Sequence, residues 1–484
     1  MFSEWSTVDL NYSALLPEII LSVTGILIML VIPFVPKDRQ VQLGYPTLAG
    51  IAVAFLSLVA TWDQRGLAFF EMVFQDPFAL FLKVLFLFAT AAIVLIAMNY
   101  LSQEDLVQGE FYSLLLFATV GMCLMAASAD LIMTFLGLEI LSIATYVLAG
   151  LKERERKSNE SAIKYFFLGA FSTAFLLYGI AFIYGATGST QYLVIAETIP
   201  TSESEPFMLL LALGLMLVGF GFKIALAPFH VWAPDVYEGA PLPVTAHLAV
   251  GSKAAALVAL VRILFQALPE LSPEWQVLLW MSAVLTMAVG NIAALTQTNI
   301  KRMLAYSSIA HAGYLLLGLT AHNELGTQGI LYYLVAYALM TIGAFTVVQI
   351  VGRRNEQYIQ IEDYRGLGYR YPFLSVTLSV FLISLAGIPA TAGFMGKFLL
   401  FAAALESELY GLVFLAILAS AIGIYYYLRV IVLMYMGEVH EEAETPITIP
   451  LSLRIVIAIM VLGTLYLGIL PGTFLHLASE AVSF

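Results

Sequence analysis

Apolar runs about 20 residues long, separated by short polar stretches, recur along the whole chain and predict membrane-spanning helices. They are too long for the alternating ten-residue strands of an outer-membrane barrel. About 14 spans are expected, near 15–36, 44–62, 78–100, 111–128, 131–150, 161–185, 206–231, 243–267, 274–297, 301–320, 326–351, 372–404, 409–435 and 449–471. Spans seven (206–231) and twelve (372–404) are too long for one straight crossing. The latter would make a helix of roughly 50 Å against a hydrocarbon core of about 30 Å. Pro228 in the first, and Gly387 and Pro389 in the second, offer places to break. The two lie five helices apart and so cross in opposite directions, as an inverted repeat requires. The expected fold is an all-α integral membrane protein in four parts. These are a three-helix N-terminal segment (1–110), two inverted five-helix repeats (111–267, spans 4–8, and 268–440, spans 9–13) and a C-terminal helix (441–484).

Composition agrees. Of 484 residues 61% are hydrophobic and 11% charged, where a soluble domain carries about 25% charge. Mean hydropathy is +0.92. The net charge of −12 argues against nucleic acid or anionic lipid as a partner. One cysteine, Cys123, cannot by itself make an intrachain disulfide, a cysteine-ligated iron–sulfur cluster or a structural zinc site. Histidines and carboxylates never fall at metal-ligand spacing, so no metal is expected. No cleavable signal peptide is expected, because the first apolar run, LLPEIILSVTGILIMLVIPFVP, is long enough to span and follows an acidic start.

Loop cations predict the orientation. Odd-numbered loops hold twelve: Lys37, Arg39, Lys152, Arg154, Arg156, Lys157, Lys301, Arg302, Arg353, Arg354, Arg365 and Arg370. Even-numbered loops and both tails hold one, Arg65. The odd loops are therefore expected in the cytoplasm and both termini outside. Arg262, Arg429, Arg454 and Lys83 sit close enough to span ends to snorkel. Three lysines remain deep: Lys223, Lys253 and Lys397.

A cation near the bilayer centre costs on the order of 3 kcal/mol even on lenient scales, and such residues mark ion or proton pathways. Lys223 lies in GFKIALAPFHVW and Lys397 in LAGIPATAGFMGKF, each close to a proline. Glu139, in FLGLEILSIATY, falls about nine residues into span five, roughly 13 Å deep. It reads either as a protonated or helix-capping carboxyl serving structure, or as the partner of Lys223 in an ion pair whose desolvation cost nearly cancels its attraction and which therefore switches readily. Lys253 sits about ten residues into span eight. It reads either as a proton carrier, able to lose its proton where an arginine could not, or as a lysine lining a hydrated crevice. Lys397 reads as a carrier or as a lysine snorkelling to the outer face.

His311 lies at the apparent depth of Lys253 and is either a relay or a hydrogen-bonded core residue. Ser307, Ser308, Tyr306, Tyr314 and Thr245 are placed to hold water around it. His230 flanks Pro228 near the cytoplasmic mouth, followed by Asp235 and Glu238, which either collect protons or are solvated loop charges. Lys164 is set for an i,i+4 pair with Glu160. His247 reads as structural. The glycines of LALGLMLVGFGFK have no preceding strand and read as helix-packing positions, not a phosphate loop.

The segments GFKIALAPFHVWAPDVYEGAPLPVTAHLAVGSK, TQTNIKRMLAYSSIAHAGYLLLGL and SLAGIPATAGFMGKF resemble the core of the antiporter-like membrane subunits of respiratory complex I, the type I NADH:quinone oxidoreductases. FLGLEILSIATYVLAG and NESAIKYFFLGAFSTAFLLYG extend the likeness over nearly the whole chain from about residue 15. Within that family the chain is most similar to the N-type subunits. It stops soon after its fourteenth span without a long lateral helix, and it carries Lys397 where M-type chains carry a glutamate. The resemblance implies proton-pathway roles for Glu139, Lys223, Lys253 and Lys397, with Lys164 and His311 as relay members. It implies a complex that oxidises NADH, reduces a quinone in its peripheral arm and pumps protons in its membrane arm. NADH, FMN, iron–sulfur clusters and quinone would be bound by other subunits, with no cofactor in this chain. The implied partners are other membrane-arm subunits and the lipid bilayer, with no nucleic acid. The implied place is a bacterial inner membrane, or a thylakoid membrane in a photosynthetic lineage. The alternative is a subunit of a multisubunit sodium/proton antiporter, which shares the lysine and glutamate scaffold.

Overall fold

Asp76, Asp130, Asn299 and Asn323 each turn a side-chain oxygen onto backbone N–H groups of the helix that follows, and these caps fix where four spans begin. A computed structural model describes residues 11–104, 106, 108–201, 206–437 and 447–482. Helices α1 (Leu16–Val31) and α2 (Gly44–Ala60) lead into an antiparallel ribbon of β1 (Gly66–Ala68) and β2 (Val73–Gln75), with Gly66 opposite Gln75. Helices α3 (Pro77–Gln103), α4 (Glu110–Ala127), α5 (Leu131–Ala149) and α6 (Arg156–Thr187) follow, then the short α7 (Tyr192–Thr198). Next come α8 (Pro206–Ile224), α9 (Trp232–Gly239), α10 (Leu242–His247) and α11 (Lys253–Arg262). A π-helical turn, Leu248–Ser252, joins α10 to α11, and a second, Ile263–Ala267, ends that span. The chain continues through α12 (Ser272–Leu295), α13 (Ile300–Ala321), α14 (Glu324–Gly352) and the single turn α15 (Leu367–Arg370). It closes with α16 (Pro372–Ala386), α17 (Ala392–Glu406), α18 (Tyr410–Met436), α19 (Leu451–Ile469) and α20 (Gly472–Val482).

Among the described residues 13 helices are long and apolar enough to cross a membrane. The expected twelfth span is instead divided into α16 and α17, each of 15 residues. Gly387 ends α16 in the left-handed conformation (φ 82°), and Ala390 also has positive φ (70°). In the expected seventh span, α8 stops at Ile224, Ala225 takes φ 62°, and regular helix resumes at Trp232. The expected domain boundary at 440/441 and the chain's two ends lie outside the described residues.

Burial separates the spans. Leu242–Ala267, Ile300–Ala321 and Glu324–Gly352 form the centre, with 94% of their most apolar stretches buried. For α18 and α19 the figures are 39% and 33%, so one face of each is left for lipid. The helix-packing reading of LALGLMLVGFGFK holds at Gly219, where an added Cβ would meet Leu176 at 2.6 Å, and fails at Gly214, which faces open space.

Two cations expected to snorkel do not. Lys83 is buried and paired with Glu18 at 2.7 Å. Arg262 is fully buried, bonds Asp76 and the Ala126 carbonyl at 2.7 Å each, and lies over the rings of Phe74 and Phe78. Both hold non-adjacent helices together from inside the bundle, which a span-end position in the sequence did not indicate. Two expected loop cations are buried as well. Lys301 pairs with Glu356 at 2.7 Å and Lys152 with the same carboxylate at 3.4 Å, while Tyr100 donates to it.

Candidate functional site

The end of α8 carries Lys223 in its last turn, where the negative end of the helix dipole favours a cation. Its Nζ donates to Ser142 Oγ at 2.9 Å and Tyr165 Oη at 3.0 Å. It also lies over the rings of Tyr146 and Tyr165, at 5.5 and 5.1 Å from their centroids. Tyr165 is clamped in turn: Trp232, just past the helix break, stacks on it at 4.6 Å and donates its indole N–H to the Phe222 carbonyl at 2.9 Å. The ion pair expected between Glu139 and Lys223 is not formed. Glu139 lies one turn before Ser142 on α5, and its buried Oε1 has no hydrogen-bond partner. Hydroxyl and aromatic groups hold the lysine instead.

Lys253 opens α11 directly after the π-helical turn. Its Nζ donates to the Ser308 carbonyl at 2.9 Å and to the Ser308 hydroxyl. Tyr237 continues the chain at 3.3 Å from Ser308 Oγ. His311, one turn after Ser307 on α13, has both ring nitrogens engaged, Nδ1 with Tyr333 and Nε2 with Tyr427 at 3.1 Å. Ser307 also bonds Tyr427. Thr245 instead bonds backbone carbonyls of the α9–α10 turn.

The break between α16 and α17 explains Lys397. Ending α16 frees the Leu385 and Ala386 carbonyls, which accept from Lys397 Nζ at 3.2 and 3.1 Å, and Ser420 accepts at 3.0 Å. The Tyr314 ring lies 4.7 Å from the ammonium. A Cβ on Gly387 would come 2.9 Å from Lys397 Cδ, so glycine is required there by space as well as by φ. Lys397 is buried and does not snorkel. Among the described residues, none of Lys223, Lys253 and Lys397 has a carboxylate at ion-pair distance, although each has hydroxyl or carbonyl partners.

Farther along α6 the groups are charged. Lys164 pairs with Glu160 at 2.7 Å, as its spacing suggests, and with Asp235 at 2.6 Å. Asp235 and Glu238 are not separate loop charges: Arg302 bridges them at 2.8 and 2.9 Å, and Lys157 binds Glu238 at 2.8 Å. His230 is half-buried in the α8–α9 break, its Nδ1 without a partner. Among the described residues no group of three or more His, Cys, Asp or Glu is placed to hold a metal ion.

Residues 128–423 match the family described as NADH:quinone oxidoreductase/Mrp antiporter, transmembrane. The chain belongs to that family. It is 48% identical over 475 residues to NADH-quinone oxidoreductase subunit N of Trichlorobacter lovleyi, covering 98% of this chain and 97% of the relative. Subunit N 1 of Solibacter usitatus is 45% identical over 468 residues, covering 97% and 96%. Among solved structures, a chain of respiratory complex I from Thermus thermophilus superposes with TM-score 0.81 at 37% identity, covering 96% of this chain and 99% of that one. A chain of the Mrp complex from a Dietzia species shares the fold at TM-score 0.84 and 19% identity, covering 98% and 97%.

Sequence reasoning missed most of what touches these lysines in this member of the family. Ser142 sits in the same quoted motif as Glu139, and i,i+3 spacing could have found it. Tyr165 and Ser420 at the lysines, like Tyr333 and Tyr427 at His311, come from other helices, and only packing brings them in.

Proposed function

We propose that this chain is a proton-translocating membrane-arm subunit of an NADH:quinone oxidoreductase, with Glu139, Lys223, Lys253 and Lys397 as its proton path. The observation that carries the reading is the set of three lysines buried in membrane-spanning helices with no carboxylate against them among the described residues. An ammonium in that setting is held only by dipoles and aromatic faces, so releasing or accepting its proton needs no ion pair to be broken at that site. Lys164 with the Asp235–Arg302–Glu238 network, and His230 five residues before Asp235 in the chain, form the cytoplasmic uptake side in this reading, and His311 with Tyr333 and Tyr427 is the relay towards Lys397.

Helices α4–α11 and α12–α18 act as the two inverted repeats, with breaks after α8 and α16; at the second, the helix-end carbonyls of Leu385 and Ala386 hold Lys397. NADH, FMN, iron–sulfur and quinone chemistry belongs to partner subunits. The chain lies in the bacterial inner membrane with both termini periplasmic and Lys152–Lys157 cytoplasmic, as the cation asymmetry requires. Moving one charge against 100 mV takes about 2.3 kcal/mol, so the lysines must be driven by events elsewhere in the complex.

Glu139→Gln and Lys223→Ala test the reading in vesicles carrying the native complex. Both are expected to leave the complex assembled and to lower NADH-driven proton translocation severely. Near-normal pumping in both assembled variants would remove Glu139 and Lys223 from the path.

A further inference from the structure

We propose that His247 is a relay residue of this path, passing a proton between Lys223 and Lys253 through its ring over ordered water. The inference rests on the reading of those lysines as proton carriers. His247 closes α10, in one of the three most deeply buried spans, and is 1% exposed. Neither ring nitrogen has a hydrogen-bond partner within the protein. Buried polar groups are almost always satisfied, and a phenylalanine would fill the same place without that cost. An imidazole with both nitrogens open is therefore set for water or for changing partners.

Its position joins the two lysines. α10, which His247 closes, packs against α5, whose Ser142 holds the Lys223 ammonium. Lys253 follows six residues later in the same span, across the π-helical turn Leu248–Ser252, and the relay requires ordered water between the ring and its amine. Gly251, one turn on, lies against the ring: a Cβ there would sit 3.4 Å from His247 Cε1, in ordinary contact. His311 provides the comparison, since it lies on α13 between Ser308, which holds Lys253, and Tyr314, whose ring faces Lys397. Each neighbouring pair of deep lysines thus has one buried histidine associated with it. Tyrosines hold His311 on both sides, whereas His247 is open on both.

The step balances as an exchange through a neutral ring. A proton from the Lys223 ammonium reaches one ring nitrogen, and the proton on the other nitrogen leaves towards the Lys253 amine. Lys223 ends neutral, Lys253 ends charged, and the ring ends as its other tautomer, reset by rotation.

The test compares His247→Phe and His247→Gln with Lys223→Ala in vesicles carrying the assembled complex. Phenylalanine keeps the volume and removes the nitrogens; glutamine keeps hydrogen bonding but cannot exchange a proton through a ring. Both are expected to lower NADH-driven proton translocation at least about tenfold. Wild-type pumping in either His247 variant overturns the relay. If Lys223→Ala also pumps normally, the lysine path itself is wrong; if Lys223→Ala fails while His247→Phe pumps, the relay alone is wrong. Should neither His247 variant assemble, water density around the ring in the wild-type complex decides. Water at both nitrogens supports the relay, and a dry ring overturns it.

Discussion

Lys223 donates to Ser142 Oγ at 2.9 Å rather than to the carboxylate of Glu139 one turn earlier on the same helix. The lysine is thus parked on a hydroxyl and two tyrosine rings, and Glu139 is its unused alternative. A hydrogen bond to a charged group contributes about 1.5 to 3 kcal/mol, comparable to the cost of moving one charge against 100 mV. Coupled events of modest size can therefore move Lys223 between the two positions.

The parking groups give the first prediction. Tyr165→Phe keeps the ring and removes the hydroxyl, and Ser142→Ala removes the other acceptor. The double variant is expected to shift Lys223 towards Glu139 and slow proton translocation by about tenfold, the equivalent of one lost charge-assisted bond. Proton uptake by vesicles, normalised to assembled complex, reads it. Wild-type pumping in the double variant would show that Ser142 and Tyr165 have no part in setting the lysine's position.

Lys253 gives the second. If it must lose and regain a proton, charge and volume are not enough, so Lys253→Arg should fail because arginine stays protonated. Lys253→Met should fail by removing the site. A lysine with a purely structural role reverses the order, with arginine tolerated on the Ser308 carbonyl and methionine harmful. Translocation by the two variants, measured side by side, separates the cases.

The spans were legible because apolar length is a local property; Pro228 and Gly387 were the signals for breaks, proline because it cannot continue a helix and glycine because it tolerates the left-handed end that α16 adopts. The three deep lysines stood out for the same reason. Their partners did not. Tyr165, Ser420 and Tyr427 reach the lysines and His311 from other helices, where no local spacing links them. The Glu139–Lys223 pair was expected from charge alone, and a neutral cage of hydroxyls and rings outcompeted it. Arg262 was misplaced because distance from a span end says nothing about which way a side chain turns, and Asp76, 186 residues away, decides it.

Glu356 gives a prediction about stability and pH. Burial pushes its carboxyl up, but Lys301 and Lys152 outweigh that and hold it below its ordinary value of 4.5. A carboxyl lowered on folding contributes stability that is fully present above that ordinary value and is lost as pH falls through the lowered one. Glu356→Gln should therefore destabilise the protein at neutral pH, by about 3 kcal/mol for a broken buried pair. The gap in melting temperature between wild type and variant should close in strong acid. Glu104, Glu155 and Tyr100 face the same cluster through Lys152 and Glu356. Equal melting temperatures at pH 7 would mean that the cluster does not hold the bundle together.

Orientation sets the direction of the whole path, and the single cysteine makes it measurable. Cys123 is buried, so an impermeant maleimide should leave the wild type almost unlabelled. Asp63, beside the ribbon, and Glu153, next to buried Lys152, are both exposed. The cation asymmetry puts Asp63 outside and Glu153 in the cytoplasm. Asp63→Cys should then label in right-side-out vesicles and Glu153→Cys only in inverted ones. The opposite result would place the Lys164–Asp235–Arg302 network on the periplasmic side. Protons would then leave, not enter, where Lys164 stands, and Lys397 would become the uptake end of the path.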